Sequence, residues 1–212
     1  MSTSMWHTDG MAASSYHHGH LKVALIEAAE QVVLEHGVGA LALRDLARSI
    51  GVSPSAVYRH FPSREHLVST VAQRAREELA RSLLAARDTV ANTGTKASRA
   101  TRRLTAIGHA YVRFAVENPR VFEAAFTPCD VPPVDEHPNA WEVLVEAVDE
   151  MAATGAMPKS RRNEAPLVAW AGVHGLSTII TASSRPSQPG LHQSTADHMI
   201  DAVVDGIIRA LR

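Results

Sequence analysis

The segment VSPSAVYRHF, residues 52–61, decides the fold of the N-terminal part of the chain. Ser53 is a suitable helix N-cap, and Pro54 suits the first helical position because the amide hydrogen that proline lacks is not used there. Val57 and Phe61 are four residues apart, so both are expected to face inward and to leave polar side chains on the outside. A proline follows and ends the helix. The segment therefore predicts a helix of about two turns with a polar, basic outer face.

Two helices are predicted upstream of this segment. Apolar residues recur at three- and four-residue steps between Leu21 and Val33, and Gly37 and Gly39 end that helix. Gly51 lies where the left-handed C-cap of the next helix is expected. The second helix is shorter, and one face of it carries Leu43, Leu46, Ala47 and Ile50. Two short helices joined by a tight glycine turn form a helix-turn-helix.

The outer face of the 52–61 helix has residue types that read DNA. A helix-turn-helix places its second helix in the major groove, and small side chains let that helix approach the base edges. Ser53 and Ser55 can each hydrogen-bond to more than one base, and Pro54 or Ala56 can pack on a thymine methyl group. We therefore expect these four residues at the base edges.

Longer polar and basic side chains flank those four residues. Tyr58 and His60 carry hydrogen-bond donors at the end of a rigid ring and suit the neighbouring phosphates. Arg44, Arg59 and Arg64 add positive charge around the same surface. The whole chain has a formal net charge of −1, so DNA binding would depend on this local patch and not on overall charge.

Composition places the chain among soluble proteins of a reducing compartment. Its 212 residues suffice for one large domain or two modest ones. The single cysteine, Cys129, excludes an intramolecular disulfide. The first fifteen residues lack the basic and apolar regions of a signal peptide, and no uninterrupted apolar run reaches membrane-spanning length. We therefore predict a cytoplasmic protein that does not associate with membranes.

The rest of the chain also follows a helical pattern, and no useful length of β-alternation is present. Ser63 is expected to cap a fourth helix that runs to about Val90. The next two helices are separated at Asn118-Pro119, because proline disfavours the helical conformation in the residue before it. The later helices are predicted at residues 98–117, 119–126, 138–154, 164–183 and 194–211. The predicted fold class is therefore all-α.

The N-terminal pattern resembles a known family over essentially its whole length. Residues 16–71, which include YHHG, LRDLARSIGVS and VYRHFPSREHL, look like the DNA-binding domain of the TetR family of transcriptional regulators. Farther along, AWAGVHGL (residues 169–176) resembles the Trp-His-Gly signature in the C-terminal domain of one TetR subgroup. The resemblance implies a homodimer with a three-helix helix-turn-helix domain at 16–62, an effector-binding and dimerisation domain at 63–212, and a disordered segment at 1–15.

The resemblance also implies roles for individual residues. Family members place at the base edges the residues that match Ser53–Ala56. They grip phosphates with residues that match Tyr58, His60 and Arg64. Arg44 lies where the preceding helix begins, whereas the residue matching Arg59 varies in the family and could face either DNA or solvent.

The family's mechanism gives the implied function. A small-molecule effector enters the C-terminal domain, the fourth helix moves, and the two DNA-binding heads swing apart. A change in head spacing lowers operator affinity, since a dimer reads two half-sites at a fixed distance. The resemblance thus implies a transcriptional repressor released from its operator by an effector, and an activator of the same fold is the alternative.

A dimer interface is expected in the C-terminal half. The last predicted helix has a broad aliphatic face made of Ile200, Val203, Val204, Ile207, Ile208 and Leu211. This face, together with the 164–183 helix, is a candidate for burial between two subunits. Packing within one subunit is the alternative explanation of the same face.

An effector pocket is also expected in this half. Aromatic residues concentrate between positions 111 and 170, as Tyr111, Phe114, Phe122, Phe126, Trp141 and Trp170. Ligand pockets are usually apolar with a few polar groups. The predicted effector contacts are therefore Phe114, Phe122, Trp141 and Trp170, with His174 or His109 as the polar contact. We expect a small, largely apolar effector, and an ordinary core that gathers the same rings is the alternative.

Two other classes of function have weaker support in the sequence than DNA binding. An enzyme is not indicated, because Cys129 and His137 lie in a proline-rich loop without an activating acid, and no nucleophile elbow, P-loop or dinucleotide fingerprint is present. A metal-responsive regulator is an alternative because of the histidines His7, His17, His18 and His20. A metal site needs three or four converging ligands, however, and YHHGH also matches the family pattern. No catalytic residue, cofactor or metal is therefore predicted.

Overall fold

The computed structural model describes residues 12–128, 139–183 and 193–212, with side chains for residues 20–128, 139–182 and 197–212. Within these ranges the regular structure is helical throughout, which confirms the all-α prediction. The α-helices are α1 (Ala12–His36), α2 (Leu43–Ser49), α3 (Pro54–His60), α4 (Arg64–Asp88), α5 (Lys96–Glu117), α6 (Pro119–Ala125), α7 (Ala140–Ala153), α8 (Ala165–Ser183) and α9 (Gln193–Leu211). Short 3-10 helices occur at Val38–Ala40 and Lys159–Arg161.

The observed helices follow the predicted ones closely. The ends of α2 to α9 lie within about two residues of the predicted positions, and the break before Pro119 is present. Of the segment predicted to be disordered, residues 12–15 belong to α1 and residues 1–11 lie outside the described residues. The proline-rich loop with Cys129 and His137 also lies outside them.

The chain divides into two compact units. The first comprises Met1–Val71 and Pro128–Pro132, and the second comprises Ala72–Thr127 and Pro133–Arg212. The division falls within α4, whose first residues belong to the first unit.

In the first unit, α2 packs against both α1 and α3. Gly37 and Gly51 have φ angles of 80° and 72°, and this left-handed conformation costs a residue with a Cβ about 1–2 kcal/mol. The predicted left-handed cap at Gly51 is thereby confirmed. The core of this unit is made of apolar side chains from each helix, including Leu25, Ala29, Val33, Leu46, Ala47, Val57, Phe61, Leu67 and Val71.

In the second unit, α5 is the central helix and packs against α6, α7, α8 and α9. Its buried face follows the helical repeat through Leu104, Ile107 and Tyr111. The N-cap of α7 is a capping box, in which Asn139 and Glu142 each accept a hydrogen bond from the other's backbone amide. The apolar stripe of α5 and the capping box of α7 explain why these two helices form where the sequence predicts them.

The aliphatic face of α9 lies within the subunit, which corrects the prediction that it forms a dimer surface. Ile200, Val204, Ile208 and Leu211 are buried against the core of the second unit. The approach of α9 to α8 is close, because a Cβ at Gly172 would lie 2.6 Å from Cδ1 of Ile207. The same aliphatic pattern that suggested a subunit interface therefore results from packing within one chain.

Almost the whole of α8 is apolar. Residues Ala165–Ala182 are long and apolar enough, by length and composition, to cross a membrane, although polar residues interrupt them. One side of α8 is buried against α5, α7 and α9, as in a core helix. Several apolar residues on its other side are exposed.

Candidate DNA-reading helix and effector cavity

The start of α3 is fixed by the residues that the sequence analysis identified. Ser53 is the N-cap in extended conformation, and its hydroxyl accepts a hydrogen bond from the Ala56 amide at 3.3 Å. Pro54 is the first helical residue. The Ser53 and Ser55 hydroxyls lie 3.0 Å apart, so the small polar groups at this end of α3 form one cluster.

The inner and outer faces of α3 are as predicted. Val57 is 0% exposed and Phe61 is buried, so both anchor the helix to the first unit. Tyr58 is 44% exposed although tyrosine usually buries its ring. Of the other predicted contacts on this helix and its cap, Ser53, Pro54, Ser55 and Arg59 are exposed, and Ala56 and His60 are half-buried. The outer face thus presents small groups next to an exposed aromatic ring.

Two of the predicted arginines are available on this surface. Arg44 is exposed in the first turn of α2, and Arg59 is exposed on α3. Neither side chain has a hydrogen bond or ion pair to any residue that the structure describes. The nearby acidic residue Asp45 is paired with Arg48 at 2.9 Å, which reduces its repulsion of an approaching phosphate.

Arg64 has a contact that the sequence analysis missed. Its Nε donates to the Leu41 carbonyl at 2.8 Å, and its Nη2 donates to the carbonyls of Val38 and Gly39 at 3.0 Å and 3.3 Å. No signal in the sequence could have indicated these contacts, because the partners lie 23 to 26 residues earlier in the chain. The predicted phosphate contact of Arg64 stays a prediction.

A mainly apolar cavity lies inside the second unit. Its wall comes from α4, α5, α7, α8 and α9, and includes Leu104, Ile107, Tyr111, Leu144, Trp170 and Val204 among its lining residues. The cavity has a volume of about 30 Å³, so a ring-sized ligand would fit only if side chains of the wall moved apart. No charged side chain lines this cavity, and only Tyr111 and Trp170 carry a side-chain hydrogen-bonding group.

Four of the five predicted effector contacts meet in an aromatic cluster beside the cavity. Trp170 stacks on His174 with ring centroids 5.7 Å apart, and Trp141 meets Trp170 edge-on at 5.7 Å. The ring centroids of Phe122 and His174 are also 5.7 Å apart. Of these four residues only Trp170 also lines the cavity. The cluster thus connects rings from α6 and α7 through the two α8 rings, Trp170 and His174.

Phe114 does not belong to the cluster. It is buried in the second unit and adjoins a surface groove between α4 and α5, whose wall also contains Arg81, Arg113 and Glu117. It therefore lies away from the apolar cavity that contains Trp170, since the two sets of lining residues are distinct.

Tyr111 connects the cavity to the cluster and was not among the predicted contacts. Its hydroxyl hydrogen-bonds to Nδ1 of His174 at 2.9 Å, and its ring meets Trp170 edge-on at 5.3 Å. Burial raises the pKa of Tyr111 and lowers the pKa of His174, so both groups are uncharged at pH 7. The helical repeat through Leu104 and Ile107 was the sequence signal that could have identified this residue.

Most of the histidines that suggested a metal-responsive regulator lie where the structure describes no side chains. His7, His17 and His18 fall there, and only His20 of that group is described. Within the described residues, His, Cys, Asp and Glu side chains nowhere gather in a group of three that could hold a metal ion.

Two family profiles match different parts of the chain. Residues 25–71 match the profile described as bacterial regulatory proteins of the tetR family. Residues 104–203 match the profile described as a tetracyclin repressor-like C-terminal domain. Together the two profiles cover more than half of the chain, and each falls largely within one of the two compact units.

The chain is also similar to curated transcriptional regulators and to solved structures. The HTH-type transcriptional regulator Rv1816 of Mycobacterium tuberculosis is 34% identical over 100 residues, which are 47% of this chain and 40% of that protein. The uncharacterized HTH-type transcriptional regulator YobS of Bacillus subtilis is 31% identical over 101 residues, which are 48% of this chain and 49% of that protein. The chain thus matches less than half the length of these relatives.

A protein of unknown function from Rhodococcus sp. RHA1 has a similar structure, with a TM-score of 0.73 and 27% identity. The match covers 92% of this chain and 97% of the Rhodococcus chain. The fold is therefore shared over both compact units.

Proposed function

Because the chain belongs to the TetR family of bacterial regulatory proteins, we propose that it is a DNA-binding transcriptional regulator, and specifically a repressor that a small-molecule effector releases from its operator. The observation that carries this proposal is α3, a two-turn helix with a buried anchor at Val57 and an exposed face of small and basic residues. Such a face fits the major groove. Residues 16–62 would form the DNA-binding domain, and 63–212 the effector-binding and dimerisation domain.

The DNA contacts that we propose follow from exposure and chemistry. Ser53, Pro54, Ser55 and Ala56 meet the base edges, since they are small and cluster at the start of α3. Tyr58 and His60 reach the flanking phosphates, and Arg44, Arg59 and Arg64 contribute charge. A cytoplasmic location follows from a DNA target.

The test of this function is genomic footprinting with the purified protein at low ionic strength. Protected sites with two half-sites at a fixed spacing would support the proposal, and the adjoining genes would suggest the effector. Failure to protect any duplex at low ionic strength would contradict it.

The salt dependence of binding tests the charged contacts. We expect Arg59→Gln to lower the slope of log Kd against log salt concentration by ~0.9, because one fewer phosphate is neutralised. Tyr58→Ala should weaken binding at every salt concentration and leave the slope unchanged, because it removes no charge. Titrations from low to moderate salt with one operator duplex measure both. An unchanged slope in Arg59→Gln would place this side chain away from DNA.

We propose that the effector binds in the apolar cavity and is uncharged. A charged ligand would lose its hydration without gaining a counter-charge, because the cavity has no ionised side chain and the Tyr111–His174 pair is neutral. This cavity lies beside Trp170 and His174, which with Gly175 match the Trp-His-Gly signature. We therefore also propose that the chain belongs to that subgroup and that the tryptophan of its signature, Trp170, contacts the effector.

Three single-ring compounds, one neutral, one anionic and one cationic, test whether the cavity selects an uncharged ligand. We expect benzyl alcohol to raise the unfolding temperature of the protein, with ~1.4 kcal/mol of stabilisation at tenfold excess over its Kd. Benzoate and benzylamine should produce no shift at pH 7. Ala169→Leu, which adds bulk at a buried position in the cavity wall, should abolish the benzyl alcohol shift. A larger shift with benzoate than with benzyl alcohol would contradict the proposal.

The partner of the exposed apolar side of α8 is proposed to be a second copy of this chain. Leu167 is 64% exposed, and Val168, Ala171 and Ile179 are also exposed on the same helix. Such a side on a core helix is typical of a subunit interface. A homodimer also supplies the two reading heads that a helix-turn-helix protein uses.

A hydrogen bond within the second unit connects α6 with α4. Nη1 of Arg76 on α4 donates to the carbonyl of Ala125, the last residue of α6, at 3.0 Å. Phe122 on α6 belongs to the aromatic cluster beside the cavity. A ligand that displaces the cluster would therefore act on α4, which supports the proposed release mechanism.

A further inference from the structure

Arg64 connects the start of α4 to the turn that precedes α2. This turn comprises residues 38–41, and its carbonyls of Val38, Gly39 and Leu41 all accept hydrogen bonds from one guanidinium. All of these residues belong to the first unit. A single side chain thus donates to three backbone carbonyls of this turn, of which that of Val38 also accepts a bond from the Leu41 amide.

The 38–41 turn and α2 lack side-chain caps of their own. Gly37 precedes the 3-10 helix and Ala42 precedes α2, and neither makes a side-chain cap hydrogen bond. By contrast, the neighbouring helix α3 is capped by Ser53. The position of the 38–41 turn therefore depends on contacts from elsewhere in the unit, and Arg64 supplies three polar ones.

The geometry requires arginine and not simply a positive charge. Nε and Nη2 point to different carbonyls, which uses the planar, forked arrangement of donors in a guanidinium. A lysine ammonium is a single point with flexible donors and would not hold the same set of acceptors in one orientation.

We propose that Arg64 is a positioning residue of the DNA-reading head, which holds the 38–41 turn and α2 in place relative to the start of α4. Because α2 packs on α3, this clamp sets the orientation of the reading helix. The clamp itself depends only on the contacts of the first unit, and its effect on DNA binding rests on the proposed function.

Hydrogen exchange of the full-length protein, measured by mass spectrometry, tests the clamp without DNA. Arg64→Gln is expected to speed exchange of the amides in residues 38–49 by ~10-fold, because charge-assisted bonds to the turn are lost. Arg64→Lys should speed it to a similar extent, although it keeps the charge. Arg59→Gln is the matched control, since Arg59 is an exposed arginine of the same unit without such bonds, and its exchange should be unchanged.

Operator binding gives a second readout. Arg64→Lys should weaken operator binding by ~10-fold at every salt concentration and leave the slope against log salt unchanged, because it keeps the charge and loses the clamp. Unaltered exchange in Arg64→Gln, or full restoration of exchange and binding in Arg64→Lys, would overturn the clamp. If the unsubstituted protein itself binds no duplex, the proposed function fails, and the exchange experiment still decides the clamp.

Discussion

Val57→Asp is expected to abolish measurable operator binding while the second unit stays folded. Val57 is completely buried on α3, so a carboxylate there would lose its hydration without a partner. An unpaired buried charge costs several kcal/mol, which is comparable with the stability of a small domain. We therefore expect the first unit to unfold or α3 to leave its position.

Gel-shift titration with an operator duplex measures the loss of DNA binding. Hydrogen exchange, resolved over residues 25–71 and 104–203, shows which of the two units has unfolded. Arg59→Asp is the matched control on the same helix, because its side chain is exposed. It should weaken DNA binding by its charge and leave amide exchange in the first unit unchanged. Normal operator binding by Val57→Asp would show that α3 is not the reading helix.

Leu167→Glu is expected to convert the proposed dimer to a monomer and to weaken operator binding by at least ~100-fold. Leu167 is the most exposed of the large apolar residues on α8, and a glutamate there would bring two like charges together across a two-fold interface. A monomer loses the gain from two linked heads, which is ~10²–10⁴-fold in affinity.

Size-exclusion chromatography with light scattering measures the mass, and titrations with full and half operators measure the loss of affinity. Val23→Glu is the control, because Val23 is 48% exposed on α1 and belongs to the first unit. It should leave the mass unchanged. A dimeric Leu167→Glu protein would place the subunit interface elsewhere than on α8.

The separation of the two units gives these variants distinct readouts. Val57 and Arg64 lie in the first unit, and Leu167 and Ala169 lie in the second. Damage to the reading head is therefore detected by hydrogen exchange, and loss of the dimer is detected by the molecular mass. A blocked effector cavity is detected by the loss of ligand-induced stabilisation.

The sequence by itself determined the helices and the two faces of α3. Its cap at Ser53, its first residue Pro54 and its buried pair Val57 and Phe61 interact within a few residues of one another. Such contacts depend on helical geometry alone, so capping and periodicity predict them. The left-handed residue Gly51 was predictable for the same reason.

Only the tertiary structure decided which partners distant residues have. Arg64 was expected at a phosphate, yet three of its contacts are carbonyls 23 to 26 residues away. Tyr111 pairs with His174 across 63 residues, and the aliphatic face of α9 packs inside the subunit while α8 keeps apolar residues exposed. Helical periodicity identifies a face that must be covered, but the same pattern suits a core and an interface, so the covering partner is decided by how the helices pack.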